Sequence, residues 1–206
     1  MQAALYALHD FLSPSEPPAH ADAVFVFAGE MERKEYGVAL WREGLAPALV
    51  LSVGRFEWRR VPMLGLPPES GLAGLVERTP PPERHFFLEV RGADAAATLR
   101  PVLRFGTAGE AASLLEEAGA RGWRSVLVVS TSFHLRRARL ALERLGRGGG
   151  CRFRYVAVPQ EWTAHPRDRW WARPATLPLL LAEAVKWLAY RVLPVKLLVS
   201  PRRRST

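Results

Sequence analysis

Short runs of continuous apolar residues constrain this chain more than any other feature. They occupy 23–28, 48–53, 86–90, 125–130 and 153–158. A run of four to eight residues without polar alternation suits a strand buried on both faces, which a parallel sheet covered by helices requires. Between the runs the apolar spacing is helical over 31–43, 107–120, 133–145 and 175–193, and more weakly over 69–77. Within 107–120, Ala111, Leu114, Leu115 and Ala118 fall on one stripe, and Gly119 and Gly122 punctuate its end. The alternation predicts a doubly wound α/β domain with a mainly parallel sheet of about five strands and helices on both faces. The stretch 56–104 is the least legible, because Pro67, Pro68 and the prolines at 80–82 break any long element. Residues 148–150, all glycine, read as a hinge before the last strand.

At 206 residues the chain suits one domain. Residues 1–20 read as an N-terminal extension, 175–199 as a closing helix and 200–206 as a flexible basic tail. With 49% hydrophobic and 24% charged residues a sizeable core is possible, which excludes wholly disordered and collagenous chains. Lys and Arg number 29 against 20 Asp and Glu, and 26 of the 29 are Arg, so anionic partners fit. The arginines across 133–154 spread over several faces and accompany no nucleic-acid motif, so a specific nucleic-acid partner is not expected. The single cysteine, Cys151, excludes an internal disulfide framework and reads as an inert, buried thiol.

The N-terminus lacks the cationic start and cleavage pattern of a signal peptide, and His9 and Asp10 interrupt its only apolar stretch. A cytoplasmic location is expected. The most apolar segment, 177–199, contains Glu183, Lys186, Arg191 and Lys196, too many charges for a spanning helix. An amphipathic helix closing the domain is preferred there over one lying on a membrane surface.

In an open α/β sheet ligands bind beyond the carboxyl ends of the strands. Those ends are small or polar here: Gly29, Glu30 and Arg33 after the first run, Ser52 and Gly54 at the second, and Ser130, Thr131, Ser132, His134 and Arg137 at the fourth. Three residues apart on a helix, His134 and Arg137 can address one ligand, and the helix start adds backbone donors for an anion. Thr107 and Glu110 have the spacing of a capping box as well as of ligand contacts. No dinucleotide fingerprint, P-loop or nucleophile elbow occurs. His9, His20, His85, His134 and His165 are scattered without ligand spacing, so no metal is expected and no cofactor is indicated. Residues 160–171 mix tryptophans with arginines, which either stack on a ligand or anchor the loop to the core.

Several of these residues together resemble a known family. They are Ala21-Asp22-Ala23-Val24 leading to Gly29, Arg33, Gly44-Leu45-Ala46-Pro47, Ser52-Val53-Gly54, Gly106-Thr107 with Glu110-Ala111, and the run from Val129 to Ala138 containing His134-Leu135-Arg136-Arg137-Ala138. This pattern is similar to the SanA/YdcF/ElyC-like family, domain of unknown function 218, over about residues 22–145 and again at Glu183 and Lys186. The resemblance implies a Rossmann-like three-layer sandwich with a polar crevice, and roles around cell-envelope precursors or nucleotide-like ligands. The chain departs from it at Glu30, where the family often has a second glycine, and at Glu110, where it often has asparagine.

The crevice is accordingly expected to bind an anionic small molecule, nucleotide-like or phosphorylated. Ser130, Thr131 and the helix starting near Phe133 would cradle the anion, Arg137 would neutralise it, and His134 would donate a hydrogen bond or act as acid and base. Gly29 and Gly54 would let the backbone approach, Thr107 and Glu110 would orient a hydroxyl or ring nitrogen, and Arg33, Ser52 and Ser132 complete the ligand-binding set. The alternative is a non-enzymatic binding or scaffold protein at the cytoplasmic membrane surface, using the closing helix and the arginine tail.

Overall fold

Each of the five apolar runs forms a strand, and a sixth strand joins them in one sheet. The computed structural model describes residues 2–67, 72–92, 97–102, 106–146 and 149–199. The strands are β1 (Ala23–Val26), β2 (Ala48–Val53), β3 (Phe86–Arg91), β4 (Thr98–Pro101), β5 (Ser125–Ser130) and β6 (Arg152–Ala157), in the spatial order β4-β3-β2-β1-β5-β6. β2, β1, β5 and β6 run parallel, in registers that pair Ala23 with Ala48 and with Val126, and Ser125 with Arg152.

The expectation of about five mainly parallel strands needs two corrections. β3 lies antiparallel to β2, pairing Val53 with Phe86 and Ala48 with Arg91. An apolar run buried on both faces reads the same in either direction, so composition could not show this. β4 is the sixth strand, antiparallel to β3 and at the sheet edge. Its four residues, Thr98-Leu99-Arg100-Pro101, mix polarity and include a proline, which an edge strand tolerates.

Side-chain alternation sends β residues into two apolar clusters, one on each face. Val24, Val26, Leu49, Leu51 and Leu88 pack with Val38, Leu40 and Trp41 of α2 (Met31–Arg42). Phe25, Phe27, Val50, Phe87 and Val128 pack with Ala111 and Leu114 of α4 (Gly106–Arg121) and Leu135, Ala138 and Leu142 of α5 (Leu135–Leu145). α3 (Leu72–Arg78) is the short described part of the helix read over 69–77, whose first residues lie outside the described ones, as does part of the glycine hinge.

The N-terminal extension is itself a helix, α1 (Gln2–Leu12), which the interrupting His9 and Asp10 disguised. Its Leu5, Leu8 and Leu12 join Phe133, Trp170 and Leu180 in a third cluster, which ties α1 to the 160–171 loop and to α6 (Thr176–Val192). Trp170 is fully buried there, so this part of the loop anchors to the core. A last short helix, α7 (Val195–Leu198), follows α6, and the arginine tail lies outside the described residues. Among the described residues no helix is long and apolar enough to cross a membrane. Cys151, read from the sequence as a buried thiol, is only half-buried, yet that partial burial pushes it up to about 11, which keeps it protonated at neutral pH.

α2 approaches β1 closely at Gly37, where a Cβ would lie 2.3 Å from Val26 Cγ2. Alanine favours a helix over glycine by about 1 kcal/mol, yet Gly37→Ala is expected to destabilise the protein by about 1 to 3 kcal/mol through overpacking. Urea denaturation checks this, and a net gain in stability would mean that α2 is free to shift outward.

Candidate functional site

The parallel strands change direction of progression at β1: the chain moves from β1 to β2 on one side and later places β5 on the other. Beyond their carboxyl ends the backbone leaves amides without sheet partners, and acidic side chains collect them. Ala28 N donates to Glu110 Oε1 at 2.8 Å, Gly29 N to Glu57 Oε1 at 2.6 Å, and Gly54 N to Glu57 Oε2 at 3.2 Å. Glu57 also pairs with the fully buried Lys34. Burial holds the Lys34 ammonium below its ordinary value, while Glu57 opposes that shift.

Arg33 bridges the two strand ends that flank the switch. Its Nη1 donates to Ala28 O at 2.7 Å and its Nη2 to Thr131 Oγ1 at 2.8 Å. Gly29, at φ +139°, is required beside it, since a Cβ there would sit 2.5 Å from Arg33 Nη1. Ser52 reaches the same cluster through His85, whose Nε2 lies 2.7 Å from Ser52 Oγ and 3.8 Å from Glu110 Oε1. Glu110 therefore serves the Ala28 amide.

A second layer adjoins the first through Thr131 and Ser130. His134 sits between two hydroxyls, with Nδ1 2.7 Å from Ser130 Oγ and Nε2 3.1 Å from Thr107 Oγ1. Arg137 donates from Nη1 to Thr107 Oγ1. Both ring nitrogens of His134 are therefore engaged by hydroxyls, one donating and the other accepting in the neutral imidazole. The ring is 4% exposed, with Phe27 edge-on at 5.5 Å. Burial first, then Arg137, Arg33 and Lys186, hold His134 well below the ordinary histidine value, so it is neutral at pH 7.

Arg137 forks onto Glu183 of α6, Nε to Oε2 at 2.8 Å and Nη2 to Oε1 at 2.9 Å, where an external anion was expected. Lys186 adds a third bond to Glu183 at 3.0 Å, and the Tyr190 ring lies under the guanidinium. Burial opposes ionisation of Glu183, but Arg137 and Lys186 outweigh it and hold the carboxyl below its usual range. Ser132 stands apart from both layers, its hydroxyl 3.4 Å from His9 Nε2.

The structure thus gathers Gly29, Arg33, Ser52, Gly54, Glu110 and Thr131 in one cluster and Thr107, Ser130, His134 and Arg137 in the next. It adds Lys34, Glu57 and His85, which lie in or beside the least legible stretch or within a helix. It also adds His165, whose Nε2 meets Glu30 Oε1 at 2.9 Å while Nδ1 meets Thr176 Oγ1 at 3.0 Å. With Thr163 and the Ala164 amide bonded to Glu32, this contact straps the 160–171 loop across the start of α2. Arg33 Nε and Glu30 Oε2 are buried and make no hydrogen bond among the described residues.

Just outside Glu57 the chain turns its cations and rings outward. Arg55, Phe56, Trp58, Arg59, Pro81 and Arg84 line a cavity of about 310 Å³ with no acid among them. Arg55 lies over the Phe56 ring at 4.5 Å and Arg59 over Trp58 at 5.2 Å, while Phe56 is 77% exposed. Arginine planes beside exposed rings suit an anion that carries a planar group.

Two outcomes follow from the buried charges. Arg137→Ala strands Glu183 with Lys186 alone and is expected to cost about 3 kcal/mol in chemical denaturation, whereas Arg137→Met with Glu183→Leu recovers most of it because no buried charge is left unpaired. His9, His85 and His134 are all held down chiefly by burial. The unfolded chain takes up protons as pH falls through about 6.5 while these folded imidazoles stay neutral, so stability is present above that pH and declines below it, by up to about 1.4 kcal/mol per pH unit for each histidine. Denaturation midpoints should fall with acidification, less steeply in His134→Gln, and a flat profile would contradict the neutral, buried assignment.

Compared with known proteins, the chain matches no family model, no curated protein and no solved structure.

Proposed function

We propose that this protein binds a small anionic ligand, nucleotide-like or phosphorylated, at the carboxyl ends of β1, β2 and β5. The observation that carries this reading is that strand-end amides of β1 and β2 are held by carboxylates, and that the chain just beyond β2 opens an arginine and aromatic cavity with no acid among its described lining residues. At Ala28 and Gly29 the backbone N–H groups donate to carboxylate oxygens of Glu110 and Glu57, and a phosphate oxygen can accept the same bonds. A ligand seated on Phe56 with its charge on Arg55 and Arg59 would compete with Glu57 for the Gly29 and Gly54 amides. A Rossmann-like three-layer arrangement agrees with the parallel strands and the two helix-covered faces, and the likeness to the SanA/YdcF/ElyC-like family supports a link to cell-envelope precursors. Within this reading Arg33 and Thr131 fix the crevice floor, while His134, with both nitrogens engaged, positions Ser130 and Thr107.

Thermal melts with nucleoside diphosphates and sugar phosphates test the proposal, since a ligand at ~100 times its dissociation constant adds about 2.7 kcal/mol. A stabilising compound should lose its effect in Arg55→Glu with Arg59→Glu, whose side chains are exposed. Glu57→Ala is expected to cost about 3 kcal/mol by leaving Lys34 unpaired, and the same compound should restore part of that loss. If no compound stabilises the protein, or if the double arginine variant binds equally well, the reading fails.

A further inference from the structure

α6 presents two faces of opposite commitment. Thr176, Leu180 and Glu183 are buried, and Leu177, Ala184 and Trp187 pack on the cluster around Trp170. On the outer side Leu181, Val185, Leu188 and Val192 follow at helical spacing and are 46% to 71% exposed. The eleven steps from Leu181 to Val192 rise about 16 Å, so these four side chains make a continuous aliphatic ridge. A helix that merely closes a domain leaves charge on that face.

The chain around the ridge is basic. From Arg167 onward it carries nine Lys and Arg against two acids, Asp168 and Glu183. Both acids are engaged, Asp168 by the Tyr6 hydroxyl at 3.2 Å and Glu183 by Arg137 and Lys186. Arg173 and Arg191 are exposed near the two ends of the helix. A second copy of this chain laid ridge to ridge would set one net-basic segment against another. A surface with apolar depth and dispersed negative charge receives both features.

We propose that α6 seats this protein on an anionic lipid surface, lying parallel to it with Leu181, Val185, Leu188 and Val192 in the acyl boundary and the basic residues on the headgroups. This docking is independent of the crevice. None of the four ridge side chains belongs to the crevice cluster, so ligand binding and docking are separable in experiment.

Sedimentation with phosphatidylcholine vesicles, with and without phosphatidylglycerol, tests it on the full chain. The protein should pellet with the mixed vesicles, weakly with phosphatidylcholine alone, and less as salt is raised. Val185→Asp with Leu188→Asp should reduce binding to mixed vesicles more than about tenfold while leaving the melting temperature unchanged, because both side chains are exposed. Replacing Arg202, Arg203 and Arg204 by Ala should weaken binding and flatten its salt dependence. No pelleting, or pelleting indifferent to the aspartates, overturns the proposal. So does a wild-type dimer in sedimentation velocity that the aspartates dissociate, which would assign the ridge to a second copy.

Discussion

The Arg33 guanidinium is the tie on which the strand ends depend. It is buried, and by bonding to Ala28 O and Thr131 Oγ1 it joins the exits of β1 and β5, the two strands between which the sheet changes its direction of progression. A buried cation of this kind is tolerated only where acceptors and negative charge surround it. Glu30, Glu110, Glu183 and Glu57 supply that field and oppose the burial that lowers its basicity. The neighbouring groups then fall into order around it: Gly29 must lack a side chain, Glu57 must take the Gly29 and Gly54 amides together with Lys34, and Glu110 must take Ala28.

Such a concentration of ionised groups within a small volume is expensive to fold, and apolar residues could have closed the sheet end with less cost. Ionisable clusters with perturbed basicity gather at sites that handle charge. Here carboxylates sit on the strand-end amides and satisfy most of the cluster, while Arg33 Nε and Glu30 Oε2 stay without hydrogen bonds among the described residues. The two acids that depart from the resembled pattern, Glu30 and Glu110, belong to this arrangement: Glu110 holds a backbone amide, and Glu30 meets His165 and draws the loop over α2.

α6 connects this interior to the surface. Its Glu183 neutralises Arg137 on the inside, while its opposite side carries the aliphatic ridge. One helix therefore closes the polar core and offers the largest run of exposed aliphatic side chains among the described residues. Two of the four charges that made this segment look too polar to span a membrane, Glu183 and Lys186, pair with each other on the flank next to Arg137.

What the chain alone determined was local. Apolar runs bounded by turn residues located five strands, periodic spacing located α2, α4, α5 and α6, and the strand ends marked Gly29, Arg33, Gly54, Glu110 and Thr131 as neighbours in waiting. These are legible because burial period and turn chemistry are properties of adjacent residues. The direction of β3, the edge strand β4 and the helix around His9 were not, since an apolar run carries no arrow and a buried histidine looks like an interruption until Ser132 is brought to it. Tertiary structure alone decided which charges meet. Arg137 finds Glu183 across 46 residues of chain and His165 finds Glu30 across 135. A pairing of that kind depends on how helices and loops pack around a sheet, and no spacing in the sequence encodes it.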